Sequence, residues 1–109
     1  MKTKGTTRVS QRKSAGPASA SMKHPQFLAI NKAISDPTRY EILQQIARND
    51  HCTCTQLRES SPVTAATLSH HLKELEDAGL IRIGRRGKFA YPSFCRQVWK
   101  LYLHELAEL

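Results

Sequence analysis

The sequence predicts a small, mostly α-helical fold with one β-hairpin, and three observations predict it. Apolar residues recur at three- and four-residue spacing through most of residues 25–79 and again through 95–109, the spacing of one helix face. Two threonines, Thr53 and Thr64, head successive helical stretches separated only by a Ser-Ser-Pro turn. One segment, LIRIGRRGKFAYPSF, alternates with period two instead. About five helices and a two-stranded hairpin account for residues 24–109.

Residues 1–23 stand apart. They hold six Lys/Arg and no Asp or Glu among mostly Gly, Ser, Thr and Ala, too little apolar surface to offset the entropy of ordering. They read as a disordered basic arm, either a solvated tail or one that binds a nucleic-acid backbone, with Met22 a second candidate start. The arm carries most of the net charge of +8, because residues 24–109 balance eleven Lys/Arg against nine Asp/Glu. In the folded part, charge therefore acts by placement.

From Pro25, Phe27, Ile30, Ala33 and Ile34 mark a first helix. Asp36-Pro37 starts a second: Asp36 can accept from the free amides of the first turn, Pro37 suits N1, and Ile42, Leu43 and Ile46 line its core face. That helix fades by Asn49-Asp50. Thr53 with Gln56 is a capping box for a short third helix near 54–60. A fourth runs from the Thr64 cap with Leu68, His71, Leu72 and Leu75 on one face and Gly79 as its left-handed stop. Ile81/Ile83 and then Phe89/Tyr91 alternate across GRRG, giving a hairpin with a basic tip. The final helix carries Val98, Trp99, Leu101, Tyr102, Leu103, Leu106 and Leu109 over more than half its circumference, broader than one core-facing stripe needs.

A short capped helix, a turn and a second helix with a small polar start form a helix-turn-helix, whose second helix enters the major groove of duplex DNA. Ala65, Ala66, Thr67, Ser69 and His70 sit at that start, flanked by Thr64 and Lys73. Ala and Thr methyls suit a thymine methyl, and Ser69 and His70 can hydrogen-bond bases or phosphates. His71 shares the leucine face and is assigned to the core. Arg82, Arg85, Arg86 and Lys88 fall within seven residues on the hairpin, where a wing would bring them to phosphates or the minor groove.

These segments, ISDPTRYEIL, CTCTQL, TLSHHLKELEDAGLI and RRGKFAY in that order, resemble the ArsR-type family of bacterial winged helix-turn-helix repressors over about residues 26–94. The resemblance implies a homodimer on a palindromic operator that overlaps a promoter, with repression relieved by an inducer. It also implies that the first and last helices form the interface, here through Phe27, Ile30, Val98, Trp99, Tyr102, Leu103 and Leu106. The excess apolar surface of residues 98–109 supports a dimer independently, since a lone chain could not bury it all.

Cys52 and Cys54 straddle the start of the third helix, beside His51. They resemble the Cys-x-Cys pair of the family's arsenic- and lead/cadmium-sensing members. Some of those add a cysteine three residues on, where this chain has Leu57. Zinc-sensing members use Asp, His and Glu on the last helix, a pattern that His104, Glu105 and Glu108 do not reproduce. Arsenite or a divalent soft metal held by thiolates would need a third donor, and Cys95 is the only other thiol. Three readings stay open: a thiolate metal or metalloid sensor, a thiol redox sensor, and cysteines that only pack.

Three cysteines without a secretory signal argue for reduced thiols and a cytoplasmic protein, and no apolar run reaches the roughly 18 residues of a membrane span. No Gly-rich phosphate loop or nucleophile-and-base arrangement points to an enzyme or a small-molecule substrate. The expected partners are double-stranded DNA and a second copy of the chain, with no membrane. The alternative is a winged-helix module that binds protein or RNA.

Overall fold

Local signals start and stop the helices of the computed structural model, which describes residues 21–49 and 51–109; the expected basic arm falls largely outside them. α1 (His24–Ala33) begins with proline in its first turn. α2 (Pro37–Arg48) is capped by Asp36, whose carboxylate accepts the Arg39 amide at 2.8 Å. α3 (Cys54–Ser60) has the reciprocal capping box: Thr53 Oγ1 accepts the Gln56 amide at 3.0 Å, and Gln56 Oε1 accepts the Thr53 amide at 2.8 Å. α4 (Ala65–Asp77) follows after a four-residue turn, with Thr64 Oγ1 accepting the Thr67 amide at 3.2 Å.

The end of α4 fixes how the hairpin leaves it. Gly79 takes φ 84°, the Leu80 amide donates to the Leu75 carbonyl at 3.0 Å, and the Gly79 amide donates to Glu76 at 2.9 Å. This is the paired capping pattern of a left-handed stop, with Leu75 and Leu80 both buried beside it. A Cβ on Gly79 would lie 2.5 Å from Gln26 Nε2, which donates to the Ala78 carbonyl, so α1 also closes this corner.

β1 (Ile81–Arg86) and β2 (Phe89–Phe94) pair antiparallel, from Ile81 opposite Phe94 to Arg86 opposite Phe89. This corrects the turn expected across GRRG. Gly84, Arg85 and Arg86 belong to the strand, and the reversal is the two-residue turn Gly87-Lys88, where Gly87 supplies φ 59°. The register keeps Ile81 and Ile83 on the same face as Phe94 and Pro92, toward the helices.

α5 (Arg96–Ala107) closes the domain. The core joins Ile30, Ile42, Leu43, Ile46, Leu57, Leu68, Leu72 and Leu75 with Leu80, Ile81 and Tyr102. Met22 is buried in it, so packing begins just before α1. Two residues expected at a dimer interface are corrected here. Ile30 and Tyr102 are 0% and 3% exposed within their own chain, and the Tyr102 hydroxyl donates to Asn31 Oδ1 of α1. They join α1 to α5 and leave almost no surface for a partner. Among the described residues no helix is long and apolar enough to cross a membrane.

Candidate nucleic-acid interface

α3, its turn and α4 present the start of α4 to solvent. Thr64, Ala65, Ala66, Thr67, Ser69, His70 and Lys73 are all exposed, while Leu68, His71, Leu72 and Leu75 turn inward. With so little side chain over the first turn, another surface can approach the backbone, and the helix's positive end favours an anionic one. Thr64 is occupied by capping, and its hydroxyl also lies 3.0 Å from that of Thr67. Lys73 pairs with Asp77 at 3.2 Å in an exposed i, i+4 bridge, a weak tie that leaves it available. Glu74, Glu76 and Asp77 make the far end acidic, which confines an anion-facing surface to the start.

His71 is held from behind. Arg39 Nε donates to His71 Nδ1 at 3.3 Å, and Nε2 lies 4.0 Å from Asp36 Oδ2. A guanidinium can only donate, so Nδ1 must carry its lone pair and the ring proton sits on Nε2, toward Asp36. Burial pushes the imidazole pKa down while Asp36 pulls the other way. The bond from the Arg39 amide, more than any neighbouring charge, holds Asp36 below the usual carboxylate range. α2 and its cap thereby hold α4 through His71. Sequence reasoning placed His71 in the core but missed Arg39, because a contact across 32 residues leaves no local pattern.

The hairpin register divides the wing's basic residues between two faces. Ile83, Arg85 and Ala90 face α4, lining with Cys54, Ser69, Lys73 and Glu76 a cleft of about 380 Å³. Arg82, Arg86, Tyr91 and Phe89 occupy the outer face, and Lys88 is in the turn, its ammonium 6.0 Å from the Phe89 ring. None of Arg82, Arg85, Arg86 or Lys88 forms an ion pair among the described residues. Phe89, expected only as part of the hairpin alternation, is 45% exposed at the tip, opposite Arg86.

Cys52 is buried and Cys54 half-buried, and burial pushes both thiols up; for Cys54 the adjacent Cys52 adds to this while Arg85 opposes it. Cys54 looks onto the cleft between α4 and the wing. Cys95 does not join them. It follows Phe94, which pairs with Ile81, four residues and about 13 Å of strand away from Arg85. Among the described residues no three His, Cys, Asp or Glu side chains gather where they could hold a metal ion. The expected Cys52/Cys54/Cys95 donor set is therefore not assembled within one chain.

The remaining interface candidates keep some exposed surface. Phe27, Val98 and Trp99 are half-buried, and Leu103 and Leu106 are exposed. Leu28 of α1, which the helix spacing did not mark, is 50% exposed.

Residues 34–83 match the family model of a helix-turn-helix domain. The chain is 36% identical over 66 residues to the arsenical resistance operon repressor of Staphylococcus xylosus, covering 61% of this chain and 62% of that protein's length. It is 40% identical over 64 residues to the transcriptional repressor SdpR of Bacillus subtilis, covering 59% of this chain and 70% of that one. Its fold is similar to that of a homodimeric winged helix-turn-helix DNA-binding domain from Mycobacterium bovis, a possible ArsR-family regulator. That likeness has a TM-score of 0.64 at 20% identity over 82% of this chain and 90% of the other.

Proposed function

We propose that this chain, which belongs to the ArsR-type family of winged helix-turn-helix transcriptional regulators, is a homodimeric repressor that reads a palindromic operator. Membership carries the coarser statement: it is a DNA-binding transcription regulator. One observation carries the finer one. The small, exposed start of α4 stands beside a wing with four cationic side chains free of ion pairs among the described residues.

In this reading Ala65, Ala66 and Thr67 bring α4 close to the major-groove floor, and Ser69 and His70 reach base edges. Lys73, Arg82, Arg85, Arg86 and Lys88 neutralise phosphates and fix the register. A second copy, docked through Leu103 and Leu106 with Phe27, Leu28 and Val98, supplies the other half-site, while Trp99 turns toward α2. The Mycobacterium bovis domain of similar fold is homodimeric, which is in keeping with two copies. This work belongs with the chromosome, in the cytoplasm.

Release from DNA is assigned to the Cys52/Cys54 pair. One chain offers two neighbouring thiols, which does not fit a three-thiolate metal or arsenite site. A thiol-directed inducer reacting at Cys54 would instead occupy the cleft between Ser69 of α4 and Arg85 of the wing. Changing Cys52 and Cys54 to Ser should leave operator binding intact and abolish release by an oxidant or another thiol-directed reagent. A double variant released like the parent would give the pair a packing role only.

Selection of duplexes from a random pool tests the DNA reading. The expected product is a two-fold-related pair of half-sites centred about 34–36 Å apart, one helical turn or a multiple of it. Recovery of duplexes without a shared sequence would contradict it.

A further inference from the structure

α2 and the first turn of α5 enclose a cleft of about 180 Å³ to which neither α4 nor α3 contributes. Its walls are mostly apolar, with Leu43 and Ala47 from α2, Phe94 from the end of β2 and Trp99 from α5, while the half-buried amide of Gln44 and the exposed phenol of Tyr40 add polar groups. Two exposed guanidiniums, Arg48 and Arg96, complete it, and among the described residues no acidic residue, cysteine or histidine lines it. Neither arginine forms an ion pair among the described residues. Arg96 is held in place, its guanidinium carbon 5.1 Å from the Phe94 ring centre and Nη2 3.5 Å from the Ala47 carbonyl, with most of its donors still unused.

These features select a ligand class. The pair of cations without a carboxylate repels metal ions and ammonium groups and calls for an anion. The aromatic and aliphatic walls would gain nothing from an inorganic anion, but they would stabilise a ring. The volume is close to the roughly 150 Å³ that accepts benzene in an apolar protein cavity, so one ring fits. We infer that this cleft binds a small aromatic carboxylate, with the ring against Phe94 and Trp99 and the carboxylate toward Arg48 and Arg96.

Occupancy is coupled to DNA, a step that rests on the regulator reading above. α2 touches the reading helix through Arg39 and His71 and packs on β2, so a ligand between α2, β2 and α5 bears on the spacing of α4 and the wing.

Trp99 is the chain's only tryptophan, which gives a readout that needs no DNA. Benzoate, acetate and benzyl alcohol would each be titrated into the full-length protein while tryptophan emission is followed. Benzoate should give a saturable change, with acetate and benzyl alcohol about tenfold weaker or worse, because each lacks one half of the recognition. Arg48→Gln and Arg96→Gln should each weaken benzoate about tenfold. Ala47→Leu should abolish the signal by filling the cleft, and circular dichroism would verify that each variant folds. Non-saturating changes alike for all three compounds, or benzoate binding unaltered in both arginine variants, would overturn the assignment. So would a signal that vanishes as protein concentration rises, which would give the cleft to a second copy. Bound benzoate should also shift duplex affinity by the factor that duplex shifts benzoate affinity. Saturable binding with duplex affinity unchanged would overturn the coupling, whereas absence of duplex binding in every condition would instead count against the regulator reading.

Discussion

α4 and α5 are amphipathic helices of 13 and 12 residues, yet they leave different surfaces uncovered. α4 buries Leu68, His71, Leu72 and Leu75 and exposes Ala65, Ala66, Thr67, Ser69 and His70. α5 buries Tyr102, half-buries Val98, Trp99 and Leu101, and still exposes Leu103 at 45% and Leu106 at 37%. Water tolerates the first kind of surface. It opposes the second, since burying a leucine side chain gains about 1.5–3 kcal/mol. Small polar residues on a helix start suit a partner read through polar edges, whereas bare leucines on a terminal helix suit an apolar surface like themselves.

Breaking the α5 side of this contrast should have the largest effect. Leu103→Glu with Leu106→Glu puts unpaired charges into the proposed interface, so sedimentation should find a monomer. Operator affinity should fall about a hundredfold or more, since two linked half-sites bind far better than one. A variant that remains dimeric would show that α5 packs only within its own chain. Beneath both helices, Leu75→Ala should lower unfolding stability by about 2–5 kcal/mol, because Leu75 is fully buried beside the α4 stop. Denaturant unfolding measures it.

The α4 side should give smaller and more selective losses. Ser69→Ala and His70→Ala should each weaken operator binding by about 1–3 kcal/mol where a base contact is lost, while random duplex is hardly affected. Equal losses on both DNAs would move these residues to the phosphate backbone. Smaller still is the pH effect of His71. Burial lowers its pKa in the fold below the 6.5 of the free side chain, so the unfolded chain takes up the proton first as pH falls. The stability His71 contributes is therefore fully present above about pH 6.5 and is lost below it. Comparing unfolding at pH 8 and pH 5 should reveal this fall, and His71→Gln should flatten it.

Much of this contrast was legible in the sequence because it is written locally. Thr53 with Gln56, Asp36 with Pro37, and Gly79 after a leucine-faced helix each set a boundary within four residues of themselves, and each cap forms. The hairpin turn was displaced because two glycines, Gly84 and Gly87, both offered a reversal; only the strand register decides for Gly87. Ile30 and Tyr102 were expected at an interface because periodicity tells an apolar face from a polar one, not one's own core from a partner's. Arg39 holding His71, and Cys95 lying far along the hairpin from Cys54, are products of tertiary arrangement. In contrast, the division of Arg85 from Arg82 and Arg86 follows from period two alone and could have been read from the sequence.

The central claim is that the start of α4 and the wing together face duplex DNA, and the salt dependence of duplex binding tests it most directly. Binding constants for the parent and for the Arg85→Ala, Arg86→Ala double variant would be measured across a series of salt concentrations. The parent's log–log plot should slope steeply downward, and the double variant's slope should be shallower by up to about two ions, on operator and random duplex alike. A parent without salt dependence, or a double variant with the parent's slope, would contradict it.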